Sequence, residues 1–108
     1  MGKSVNGQLA VIEGKQQQSS SEEIKYQVDI TTWGNTPTSI SPKVFDESDS
    51  DTDVTATNMP TGSATASGNI IKLPTLKLLT SGKTYRIEVL FTAADGNIYE
   101  PYIIVECI

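Results

Sequence analysis

Two stretches of this chain alternate strictly between apolar and polar residues, and that period of two constrains the fold more than any other feature. Ile24, Tyr26, Val28 and Ile30 are separated by Lys25, Gln27 and Asp29, with Thr31 following. Tyr85, Ile87, Val89 and Phe91 are interleaved with Arg86, Glu88, Leu90 and Thr92. Successive side chains of an extended strand point to opposite faces, so each stretch describes a strand with one buried face and one wet face. A helix would scatter the same residues around its axis. AADGN at 93–97 then supplies an Asp-Gly turn, and residues 98–108 return as a further strand. On that strand Ile103, Val105 and Cys107 share the core phase, with Glu106 on the opposite one.

Shorter strands are expected between these two. Residues 39–46 alternate Ile40 and Val44, with Pro42 marking a first or edge position. Residues 53–57, 63–67 and 69–73 are separated by the breakers NMPTG and SGN. QLAVIE (8–13) reads as a first strand, and KQQQSSSEE (15–23) as a polar, flexible connection after it. The chain therefore divides into residues 1–23, an N-terminal strand with its polar flexible connection, the alternative being that this strand is the first of the same sandwich, and a core over 24–108. A chain of 108 residues suits one hydrophobic core and not two. Its 11 serines and 13 threonines favour strands and turns over helices.

Seven to eight short strands with close turns and no long helix give an all-β fold, an antiparallel β-sandwich. In LLTSGKTYRIEVLF (78–91), Leu79, Gly82 and Tyr85 stand three apart directly before an alternating strand. This resembles the Leu-x-x-Gly-x-x-Tyr approach to the sixth strand of fibronectin type III and related immunoglobulin-like domains. The resemblance implies a structural corner in which the tyrosine hydroxyl bonds back to the preceding turn and its ring packs under the leucine. Trp33 lies near where such domains carry a core tryptophan. It is out of phase with Ile30, so a bulge or a place at the end of the core is required.

Three longer phrases carry a narrower resemblance: VIEGK (11–15), YQVDITTWGNTPTS (26–39) and LTSGKTYRIEVLFTAADGN (79–97), before a closing EC (106–107). They are similar to small immunoglobulin-like proteins encoded among the virion-structure genes of tailed phages and prophages. Those proteins tend to carry a Y-x-V-D-x-x-x-W-G-x-x-P run, matched here by Tyr26, Val28, Asp29, Trp33, Gly34 and Pro37, and a D-V-T run, matched by Asp53, Val54 and Thr55. The resemblance implies a structural or accessory virion component, located in the virion or in the host cytoplasm before assembly. It brings no catalytic residues.

The residue inventory excludes much chemistry. There is no histidine, and Cys107 is the only thiol, which removes Ser-His-Asp and Cys-His mechanisms, histidine metal sites and an intrachain disulfide. Cys107 reads as a small buried hydrophobe. SGKT (81–84) lacks the upstream glycine of a phosphate loop. Glu22 with Glu23, or Glu100 with Glu106, fall on segments read as solvated. We therefore expect no enzyme and no cofactor. Eight Lys and Arg against thirteen Asp and Glu form no basic stripe, which disfavours nucleic acid. No segment is apolar enough for a signal peptide or a membrane span.

Two candidate sites remain. DESDSDTD (46–53) holds five acidic residues, equal to the whole net charge of −5. Asp49, Asp51 and Asp53 make the first half of a calcium loop, but Val54 stands where glycine is needed and Pro60 where glutamate is needed. The alternatives are a weak calcium site and a solvated loop between two strands, and the flanking strands favour the loop. Trp33 and Tyr99, with Tyr102, are possible ligand-facing aromatics of a carbohydrate- or cell-surface-binding module, against the alternative of core and rim packing. The expected partners are proteins, with self-association through the N-terminal strand as a further possibility.

Overall fold

A computed structural model describes residues 15–108, and the strand expected over 8–13 lies outside them. The chain is all-β. Among the described residues nine strands run β1 (Gln16–Gln18), β2 (Ile24–Asp29), β3 (Thr38–Asp46), β4 (Thr52–Asp53), β5 (Thr65–Ser67), β6 (Ile70–Leu76), β7 (Thr84–Thr92), β8 (Ile98–Tyr99) and β9 (Tyr102–Cys107). A 3₁₀ turn at Glu47–Asp49 and one short helix, α1 (Thr55–Asn58), interrupt them.

The strands form two sheets. The larger has the order β1-β9-β7-β3-β4, with β8 also paired to β7, and the smaller has the order β2-β6-β5. One buried cluster draws Val28, Ile71 and Leu73 from the small sheet and Val44, Ile87, Val89, Phe91, Ile103 and Val105 from the large one. The two sheets thus share a core between them, as in a β-sandwich. The alternation read at 24–30 and 85–91 corresponds to β2 and β7. Tyr85, Ile87, Val89 and Phe91 are buried, while Arg86, Glu88 and Leu90 lie on the opposite face.

Four details differ from the sequence expectation. The larger sheet is not purely antiparallel: β1 pairs parallel to β9, with Gln16 opposite Val105 and Gln18 opposite Cys107. That same strand takes up Gln16–Gln18 of the stretch 15–23, expected as a flexible connection. Its anchor is Gln18, 0% exposed. Its amide Nε2 donates to the carbonyls of Leu76 and Glu22, and its Oε1 accepts from the Tyr26 hydroxyl. A polar side chain can be buried when each of its groups has a partner, so a glutamine tract becomes a strand through contacts distant in sequence.

The strand expected over 53–57 is only β4, followed by α1. Asp53 Oδ1 accepts from the amide and hydroxyl of Thr55, which turns the chain after β4. The strand expected over 98–108 is broken at Glu100–Pro101, because proline has no N–H for the ladder. Pro101 O instead accepts from Val89 N at 2.9 Å. Pro74 causes a similar defect in β6: the β2–β6 register shifts between Lys25 and Gln27, leaving Tyr26 opposite both Leu73 and Pro74.

Candidate functional site

The acidic stretch is tied down rather than loose. Asp46 is buried at the end of β3, caps the 3₁₀ turn by accepting from Ser48 N, and pairs with Lys83 Nζ at 2.8 Å. This bond to Asp46 holds the Lys83 ammonium above its usual range, against a smaller effect of desolvation. Arg86, from the wet phase of β7, reaches Glu47 at 2.8 Å, Asp51 at 3.2 Å and Glu88 at 2.9 Å. Its guanidinium also lies 5.1 Å from the centre of the Phe45 ring. Residues 47–53 are exposed, and the solvated loop is in addition tied by Lys83, just before β7, and by Arg86 within it.

Asp49, Asp51 and Asp53 are not brought together. Asp49 faces Thr52, whose hydroxyl donates to Asp49 O at 2.6 Å. Asp51 turns to Arg86. Asp53 is engaged by Thr55, whose amide and then hydroxyl hold its carboxyl below the usual carboxylate range. Among the described residues no group of three or more His, Cys, Asp or Glu is placed to hold a metal ion.

At the corner before β7, Tyr85 is buried and its hydroxyl accepts from Thr80 N at 2.9 Å. Leu79 lies in the same buried cluster. Gly82 adopts φ +90° and its N–H donates to Cys107 O, fixing the corner to the end of β9. Burial among apolar neighbours pushes the Cys107 thiol up, away from the reactive thiolate.

The opposite end of the molecule is formed by the turns at 30–37, 67–69 and 93–97. Gly34, at φ +152°, sits so close to Ala93 that a Cβ on it would stand 2.8 Å from the Ala93 Cβ. Ala94 N donates to Asn35 O, and the Asn69 side chain accepts from Thr36 N. Trp33 closes the turn after β2 by donating its N–H to Ile30 O, and its side chain is half-buried against the core. Tyr99 opposes Phe91 across the hairpin, with ring centres 5.8 Å apart, and also packs on the core. Both rings are spent partly on closing the core end.

A surface that the sequence reading passed over is the outer face of the large sheet. The register places Arg86 between Phe45 and Ile104, and Glu88 between Lys43 and Tyr102. Leu90 and the 66%-exposed Ile98 continue the same face. A depression of about 320 Å³ opens there, lined by Glu47, Arg86, Glu88, Tyr102 and Ile104. The wet face of an antiparallel strand is ordinarily polar, so half-buried Phe45, Tyr102 and Ile104 set this face apart. The sequence carried a signal for it: Phe45 falls out of phase with buried Val44, and Ile104 with Ile103 and Val105.

No family model matches this chain, and no curated protein and no solved structure matches it.

Proposed function

We propose that the chain is a non-catalytic immunoglobulin-like module, nearest to the fibronectin type III style, that serves as a structural or accessory component of a tailed-phage or prophage virion through protein–protein contacts. The observation that carries the immunoglobulin-like part is the bond from Thr80 N to the Tyr85 hydroxyl at 2.9 Å, beside Leu79 and Gly82, in a chain whose sheets run β2-β6-β5 and β1-β9-β7-β3-β4. The virion part rests on the resemblance of the phrases at 11–15, 26–39 and 79–97. Self-association through the segment 8–13 belongs to the same reading, because edge strands accept further strands.

The alternative, a carbohydrate- or cell-surface-binding module, needs rings exposed side by side. Half-buried Trp33 and Tyr99, each packed onto the core, favour contact with protein instead.

The test is mass spectrometry of density-purified particles from induced cells that encode the chain, paired with a deletion. The expected result is the chain present at fixed stoichiometry to capsid or tail proteins. Its absence from particles, with assembly, stability and adsorption unchanged in the deletion, overturns the reading.

A further inference from the structure

We propose that the outer face of the β9-β7-β3 layer, centred on the depression floored by Tyr102 and Ile104, docks a cationic, partly apolar segment of a partner protein. Charge decides the occupant. Three carboxylates, Glu47, Asp51 and Glu88, surround the single guanidinium of Arg86. Lys43, opposite Glu88 in the register, adds a second cation, so one net negative charge remains beside half-buried rings and methyl groups, with 22% of the Glu88 side chain, 32% of the Glu47 side chain and 60% of the Asp51 side chain exposed. Carboxylates removed this far from water are stabilised by an added cation, and apolar surface by an added apolar contact. A lysine or arginine flanked by apolar side chains supplies both. A second copy docking through the same face would bring six carboxylates against two guanidiniums and two ammoniums, and the remaining like charges across the interface disfavour it.

The inference rests on the reading of the chain as a protein-binding module and names its surface. The experiment is titration of the ¹⁵N-labelled chain with an octapeptide of alternating lysine and leucine, followed by amide chemical shifts, with an alternating glutamate and leucine peptide as control. Saturable shifts at residues 86–90 and 102–104 with the lysine peptide alone are expected. Affinity should fall about tenfold or more in Glu47→Gln/Glu88→Gln, and again on raising salt from about 0.05 to 0.5 M. Ile104→Thr, which keeps all charges, should weaken binding as well.

Equal response to both peptides, shifts confined to 46–53, or no response overturns the proposal. Concentration-dependent shifts at residues 86–90 and 102–104 without peptide also overturn it, because a second copy is then the occupant. If the peptide fails while the chain still co-purifies with particles, the surface is wrong and the virion reading stands.

Discussion

Tyr85 shows how much structure one hydroxyl organises. Its ring fills the core under Leu79, while its oxygen accepts the Thr80 N–H that the corner would otherwise leave without a partner. Tyr85→Phe keeps the ring and removes the acceptor, so we expect a loss of about 1–2 kcal/mol in urea unfolding with little change in m-value. Gly34 is the opposite case, where an absent side chain matters. Gly34→Ala would bring a Cβ to 2.8 Å from Ala93 Cβ at a φ that L-residues rarely adopt. A loss of about 1–3 kcal/mol is expected by the same measurement, with amide shifts spreading into the 93–97 turn. Both residues were visible in the sequence, Tyr85 through its spacing from Leu79 and Gly82, Gly34 only as part of a phrase. The clash that makes Gly34 necessary involves a residue 59 positions away, which no local pattern encodes.

Strands were legible in proportion to how far their own sequence specifies them. β2, β7 and β9 carry apolar alternation and were read from it. β1 carries none: QQQ becomes a strand because Gln18 finds Leu76 O, Glu22 O and the Tyr26 hydroxyl after the two sheets have come together. Gln18→Ala should therefore undock β1, leaving Leu76 O and the Tyr26 hydroxyl to find water. The expected cost is about 2–3 kcal/mol, with hydrogen exchange accelerated at Gln16–Gln18 and along the adjoining edge of β9 but not in β7. The acidic loop was legible as a loop and not as a latch. Its partners Lys83 and Arg86 lie 35 to 39 residues further along the chain, beyond β6, and only the β3–β7 register, with Phe45 opposite Arg86, shows that they meet it.

For the molecule as a whole, charge sets the pH range of stability. Asp29, through the Thr31 hydroxyl and then its amide, and Asp53, through the Thr55 amide and then its hydroxyl, have carboxyl pKa values below the unfolded value of about 3.9. Their contribution is present above that value and is lost as pH falls through the folded pKa. Lys83 works in the other direction: its contribution is intact below the unfolded lysine value of about 10.4 and fades as pH rises through the folded one. Melting temperature should thus fall on both sides of a neutral plateau. Asp29→Asn/Asp53→Asn, which keeps an acceptor oxygen but cannot ionise, should flatten the acid limb between about pH 5 and 2 by lowering the neutral melting temperature toward the acid one. An equally steep acid limb in this variant would assign acid unfolding to other carboxylates.

The parallel pairing of β1 with β9 also determines how the domain responds to force. Strand β1 joins β9 along its last three residues, with Gln16 opposite Val105, and both then run toward Cys107. Tension applied to the chain ahead of β1 and the chain beyond β9 slides these two strands past each other, so their hydrogen bonds are strained together. An antiparallel pair at the same place would open one bond at a time from its end. Joined in series with other proteins, the domain would hold until the β1–β9 contact sheared and would then give way abruptly, with Gln18 as its pin.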